Sequence, residues 1–489
     1  MGAEVKSKTF SREQRTKYRQ RLLENLEAFE SYLATGQFAA TGTIGLELEL
    51  NLANADFSPA LRNAAVLEAI ADPAFQTEIG TFNIELNHPA LSIAGQGLKQ
   101  LEDSLRAQLN RADERAAAAN ADILMIGILP TLKRSLVEDM SWLSAGRRYA
   151  ALNTSVLQAR GEDVLLELRG IESISFYAKN IAPEAACTSV QLHIQVQPHE
   201  FAPVWNAAQV IAGPQVAVAA NSPVFMETLL WHETRIDLFK QAIDSRPPEM
   251  RNQGVRPRVW FGERWITSIF DLFEENVRYF PALLPELNRS TGGRTRAGAP
   301  LLPELRLHNG TVYRWNRPIY DPDGDLPNLR LENRLLPAGP TVLDTIANAA
   351  FFFGLVRVLR TADRPLWSRM AFKTAADNFL TCARKGLEAS VYWPGIGDIP
   401  VTELILRHLL PMAANGLEQL GVDGDLIGRY LDVVRARTQS EQNGAAWQIA
   451  ALRRLEASGL DRSTALTEMT RHYWENMHTN QPVHTWPLP

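Results

Sequence analysis

The chain of 489 residues reads as an α+β protein, an antiparallel sheet with helices packed on one side, and three observations carry that reading. Several short segments alternate apolar and polar residues, as strands with one covered and one open face do. Between them lie stretches whose apolar residues recur at helical spacing. From Val342 to the end the pattern is predominantly helical, rich in Ala, Leu and Arg. No internal repeat of fixed period is visible.

In chain order, Leu22, Leu23, Leu26, Phe29 and Leu33 predict an amphipathic helix from Ser11 to about Leu33, with Ser11 and Gln14 as a capping box. Thr43 to Leu52 is a strand: Ile44, Leu46, Leu48, Leu50 and Leu52 alternate with Gly45, Glu47, Glu49 and Asn51. A short helix over 61–70 follows, then a strand from Thr81 to His88 stopped by Pro89. A long helix is expected from Gly97 to Ala121 and a buried strand from Ile123 to Leu129, ended by Pro130. Val164 to Arg169, Ile171 to Ala178 and Thr188 to Val196 read as strands. Helices are expected over 201–220 and 231–243, parted by A-N-S-P at Ala220 to Pro223. Thr267 to Phe280 reads as a helix, and His308 to Trp315 and Asn328 to Leu336 as strands. Arg246 to Arg258 and Ser290 to Pro300 are loops able to close over a site, and the tail Q-P-V-H-T-W-P-L-P cannot be helix.

Composition narrows the function classes. Lys and Arg number 50 against 55 Asp and Glu, a net charge of -5, so the chain lacks the basic field that nucleic-acid binding requires. The only cysteines, Cys187 and Cys382, form no CxxC and no zinc-ligand spacing, and suit a reducing cytosol. The first ten residues hold no apolar leader core, and apolar runs such as Ala349 to Val356 fall short of a membrane span. The expectation is a cytoplasmic protein with no membrane partner, its assembly state open, a homo-oligomer included.

The open faces of the strands carry the chemistry. Glu47 and Glu49 point the same way, about 7 Å apart at roughly 3.4 Å rise per residue. Asn83, Glu85 and Asn87 share one face of the second strand; Ser189, Gln191, His193 and Gln195 share one face of another; Arg330, Glu332 and Arg334 do so on the last. Such faces usually carry Lys, Thr and Ser when they meet bulk water, and these carry no Lys. Glu47, Glu49, Glu85 and Glu332 with His193 would make two or more octahedral oxygen-rich sites for Mg²⁺ or Mn²⁺. Arginine holds phosphate or carboxylate in bidentate fashion, which makes Arg235, Arg314 and Arg317 candidates for gripping substrate or nucleotide.

E-L-E at Glu47 to Glu49, Glu85 in F-N-I-E-L-N-H-P, Q-L-H at Gln191 to His193 and E-N-R at Glu332 to Arg334 resemble the glutamate-cysteine ligase family, in the carboxylate-amine ligase branch of the glutamine synthetase-like superfamily. A-N-S-P followed by a helix bearing Arg235 is similar too. The resemblance covers roughly 41–353, in order. It implies a large curved antiparallel sheet with helices on its outer face, a catalytic core over 1–355 and a helical part over 356–489 packed on it. It also implies ATP with two or three Mg²⁺ ions, Mn²⁺ being the alternative, and a small-molecule carboxylate, glutamate first, joined to an amine or amino acid. Carried over by position, Glu47 and Glu49 are metal ligands, Glu85 serves the metal nearer the acceptor acid, and His193 and Glu332 complete the nucleotide side. Arg334 contacts the transferring phosphoryl group, and Gln191 belongs to the same polar floor. The stretch from His308 to Pro318, rich in Arg and aromatics, departs from the family pattern.

An ATP-dependent ligase that passes through an acyl phosphate is the expectation, because a carboxylate becomes reactive toward an amine only once its oxygen is a good leaving group. The rivals are an ATP:guanidino phosphotransferase, which needs no second acceptor, and a nucleotide-binding protein without turnover.

Overall fold

The computed structural model describes residues 5–7, 9–138, 140–288, 290 and 292–489; the first four residues, part of the stretch read for a leader, lie outside them. One curved sheet of seven strands organises the molecule. Its strands are β1 (Thr43–Ala53), β2 (Phe75–Thr77), β3 (Asn83–Ser92), β4 (Asp122–Leu124), β5 (Ser189–Val196), β6 (Asn316–Asp321) and β7 (Asn328–Pro337). They lie in the order β6, β7, β5, β1, β3, β2, all antiparallel, with β4 also pairing with β1.

The apolar face predicted for β1 is seen, with Leu46, Leu48, Leu50 and Leu52 buried, but the other face is partly open only as far as Glu47, since Glu49 and Asn51 are buried too. The apolar face packs, with its neighbours on β5 and β7, against the helices Pro198–Val210, Ala212–Ala219 and Val342–Leu359. Directly opposed residues share a face. The register therefore writes polar rows across the other side: Glu85 beside Glu49, Asn87 beside Glu47 beside Gln191, and Gly45 beside His193 beside Glu332 beside Arg317.

Two register shifts tune these rows. One lies between Ile44 and Leu46, where β3 has Pro89 and Ala90 against Gly45 alone; the other sets Arg334 and Leu335 against Gln191. Bulges bend a strand and re-aim its side chains, and both sit beside the polar rows. Pro89 was expected to stop its strand, yet β3 runs through it to Ser92, since a bulge residue needs no ladder N–H.

Elsewhere the expectations meet local chemistry. The first helix spans Arg12–Thr35, and its Ser11 and Gln14 cap each other's backbone N–H groups. The strand expected over Ile123–Leu129 is only Asp122–Leu124. His308–Trp315 is not a strand: Pro303 opens a helix, Pro303–Asn309, and only Tyr313–Arg314 pairs, with Val259–Trp260. The edge strand is instead Asn316–Asp321, where Pro318 is tolerated because one side is unpaired. Val164–Arg169 and Ser173–Ala178 form a hairpin outside the main sheet, and Ser390–Trp393 with Gly397–Pro400 adds a hairpin to the helical C-terminal part.

The boundary expected at 355/356 falls inside the Val342–Leu359 helix. That helix is long and apolar enough to cross a membrane, but 83% of it is buried inside the protein. An all-round apolar helix with that burial is a core helix. It is wedged between the back of the sheet and the helices Leu410–Gln419 and Gly424–Ser440, within one hydrophobic core that reaches from the first helix to Trp486.

Candidate active site

The polar face of the sheet forms the floor of a cavity of about 600 Å³. Its walls come from the helices Arg147–Arg160, Arg235–Ala242 and Pro303–Asn309, with Ser290 at the rim. Among the described residues six arginines and no lysine line it, Arg235, Arg317 and Arg334 among them. A second cavity of about 330 Å³ adjoins it at the Gly45 and His193 end, sharing Glu47, Asp321 and Arg330.

Among the described residues, two groups of side chains able to ligate a metal stand on this floor. Glu47, His193 and Glu332 bring ligand atoms within 4.8 Å of one another, and Glu49, Glu78 and Glu85 do the same. In the first group His193 Nε2 lies 3.2 Å from Glu47 Oε1. Glu332 accepts from Arg317 Nε at 2.5 Å and Nη2 at 2.8 Å, and from Arg334 Nη1 at 3.3 Å. Burial raises the Glu332 carboxyl, but Arg317 and Arg334 outweigh it and hold the group well below the usual carboxylate range. Burial likewise opposes His193 at Glu47, and the balance is a modest lowering.

The second group is short of cations. Glu49 accepts from the Ser189 backbone N–H at 2.6 Å and from Gln191 Nε2 at 2.9 Å. Burial, with Glu85 adding repulsion against the pull of Arg334, still pushes Glu49 up to about 7. Glu78 is driven well above the carboxylate range, by burial first and then by Glu85. Like charges that close ionise together only when a cation neutralises them. The donor sets fit divalent cations: among the described residues Glu85 Oε1 and His193 Nδ1 are buried without a hydrogen-bond partner, and oxygen ligands with one imidazole suit Mg²⁺ or Mn²⁺.

Of the residues expected from the sequence, Glu47, Glu49, Glu85, His193, Gln191, Glu332 and Arg334 are brought to one floor, and Arg317 to its edge. Gln191 Oε1 accepts from Arg334 Nη1, so the amide ties Glu49 to the guanidinium. Arg235 reaches the cavity wall, though Glu233 Oε1 at 2.8 Å and the Leu335 carbonyl at 2.8 Å occupy its guanidinium. Arg314 is not among the lining residues: it is buried and turned inward to Glu275 at 2.9 Å and Asn276 at 3.1 Å, an ion pair that a desolvated guanidinium requires. The Arg246–Arg258 loop is also away from the cavity; Arg246 pairs with Asp244, Arg256 with Glu263, and the loop contains the short helix Pro248–Asn252. Ser290 alone of the Ser290–Pro300 loop lines the cavity, and Thr291 of that loop lies outside the described residues.

The sequence reading missed Glu78, Glu184, Arg148, Tyr149 and Arg306, all of which line the cavity. Glu78 follows a strand of three residues, too short to show alternation, and the others sit on wall helices without a distinctive pattern.

The sequence pattern of glutamate-cysteine ligase family 2 matches residues 43–480. The chain belongs to that family. Its members' chemistry makes this protein an ATP-dependent carboxylate-amine ligase, the first of the three readings above. No curated protein matches the sequence. Among solved structures, the glutamate-cysteine ligase of Francisella tularensis in complex with AMP superposes with a TM-score of 0.56 at 11% identity, over 92% of this chain and 91% of that one. A bifunctional glutathione synthetase from Pasteurella multocida gives 0.49 at 12% identity, over 95% of this chain and 55% of that one. The first of these likenesses shows the shared fold.

Proposed function

We propose that this family 2 ligase activates the γ-carboxylate of glutamate, or of a closely similar acid, as an acyl phosphate and joins it to an amine. The observation that carries the reading is the pair of ligand groups, Glu47/His193/Glu332 and Glu49/Glu78/Glu85, side by side on one arginine-lined floor. Bringing a carboxylate up to a triphosphate concentrates negative charge, and preorganised cationic groups are the principal means of stabilising the transfer.

Two divalent cations would be held by those six side chains, where they would neutralise phosphate and carboxylate oxygens. Glu47, His193 and Glu332 stand where the two cavities meet, which supports the nucleotide lying toward the 330 Å³ cavity and the acid toward Glu49, Glu78 and Glu85. Arg334 is fixed by Gln191 and Glu332, so its charge is presented to the transferring phosphoryl group without reorganisation. Arg317 keeps Glu332 ionised and oriented. The wall helices Arg147–Arg160 and Pro303–Asn309 narrow the access of bulk water to an acyl phosphate that water would otherwise hydrolyse.

The test is mass spectrometry of products from ATP, Mg²⁺, glutamate and a pool of amines, with phosphate release followed in parallel. An amide whose formation, together with phosphate release, needs both acid and amine is expected. ATP turnover that leaves phosphate on an acceptor nitrogen, or no ATP-dependent product with any acid, would overturn the proposal.

A further inference from the structure

One half-buried acid in the cavity, Glu184, has no task in either ligand group. Glu184 sits on the turn Ala182–Ala185, whose Ala182, Pro183 and Ala185 are buried and hold it in place, and its side chain lines the main cavity. Its Oε2 is sealed from solvent and has no hydrogen-bond partner among the described residues. A carboxyl group in that condition is costly to keep unless something binds to it.

Its surroundings say what that something is. The titratable groups that it senses are Glu49 and Glu78 on the floor, Arg334, Tyr313 and Cys187. Tyr149, Leu152, Phe239, Tyr313 and Trp315 give the cavity an apolar and aromatic wall. Glu184 thus lies in the same cavity as both the acid end of the floor and a wall suited to an apolar side chain. A ligand that is cationic at one end and apolar at the other fits, and the acceptor amine of the reaction above is such a ligand.

We propose that Glu184 receives the ammonium group of the acceptor amine and takes its proton, an inference that rests on the ligase reading. The step balances as follows. The ammonium gives one proton to the Glu184 carboxylate, and the freed nitrogen lone pair forms the C–N bond at the acyl phosphate carbon. The C–O bond to phosphate then breaks, phosphate leaves with the electron pair, and the second nitrogen proton goes to a phosphate oxygen. Glu184 afterwards releases its proton to solvent. Burial, with Glu49 adding to it, raises the Glu184 carboxyl to about 8. The upward shift makes Glu184 a stronger base than an ordinary carboxylate, which suits it to take a proton from an ammonium group.

The experiment compares wild type with Glu184→Gln and Glu184→Asp, using two nucleophiles: a pool of amino acids, which arrive as ammonium ions, and hydroxylamine, which is unprotonated at neutral pH and needs no base. The expected result is that Glu184→Gln loses amide formation by about 100-fold or more but keeps hydroxamate formation within a few-fold, with Glu184→Asp in between. Equal amide rates in Glu184→Gln and wild type would overturn the proposal. So would parallel loss of amide and hydroxamate in both variants, which marks a purely structural role. A wild-type protein that makes no hydroxamate from any acid with ATP overturns the ligase reading, and this inference with it.

Discussion

Glu47 and Glu332 each hold a charge in a place where water is scarce, Glu332 against two arginines and Glu47 against one imidazole. Replacing either by Gln keeps the shape and removes the charge. Glu47→Gln and Glu332→Gln are each expected to lower Mg²⁺-dependent turnover by about 100-fold, measured as ADP release at saturating ATP. A folded variant with full activity would remove that residue from the metal site. Glu49 of the second group and Glu184 in the same cavity make a pH prediction. An unfolded glutamate releases its proton near 4.5, whereas Glu49 and Glu184 keep theirs up to about 7 and 8. The metal-free native state therefore binds more protons than the unfolded chain across that window, and its stability falls as pH rises from about 4.5 to 8. Glu47 and Glu332 are shifted downward, so their contribution is already complete above 4.5. Thermal melts of the EDTA-treated protein should show Tm declining over this range, and added Mg²⁺ should raise Tm more at pH 8 than at pH 5. A Tm that rises with pH and ignores Mg²⁺ would count against the charge-crowded site.

Strand register decides which of these side chains meet. Gly45 is the member of the odd-numbered face of β1 that faces His193, and a Cβ placed there would come 3.3 Å from His193 Cβ and 3.6 Å from Cγ. The missing side chain leaves the imidazole of His193 free to set its ring toward Glu47 and Glu332. Gly45→Val should push the imidazole aside, weaken divalent-cation affinity about tenfold or more by calorimetry, and leave the far-ultraviolet circular dichroism unchanged. Unaltered cation affinity would show that His193 is no ligand. At this scale the alternation in β1, β3, β5 and β7 was legible because each strand is long enough to repeat its period. The three-residue strand before Glu78 was not, and Pro89 misled because a bulge absorbs a proline that a regular ladder rejects.

Across the whole molecule, sheet and C-terminal helices share one core through the Val342–Leu359 helix. The helix Leu410–Gln419 approaches it backbone to backbone: a Cβ on Gly416 would lie 1.8 Å from the Gly354 carbonyl oxygen. Gly416→Ala must part the two helices and is expected to destabilise by about 1 to 3 kcal/mol. Differential scanning calorimetry should show the entire transition moving down, not a separate C-terminal one splitting off. Two resolved transitions, with only one displaced, would mean that the helical part folds as an independent unit.

The sequence by itself determined that several strands turn Glu, His, Gln and Arg to one side, because a period of two is local and every residue declares its own face. It also singled out Glu47, Glu49, Glu85, His193 and Glu332, which the fold brings to one floor. Only the tertiary structure decided that Glu78 joins Glu49 and Glu85, that Glu184 looks into the same cavity, and that Arg314 is taken by Glu275 away from it. Those three outcomes depend on which segments pack together across tens to hundreds of residues, and a side chain's neighbours at that separation are set by the burial of the core and not by the pattern around it.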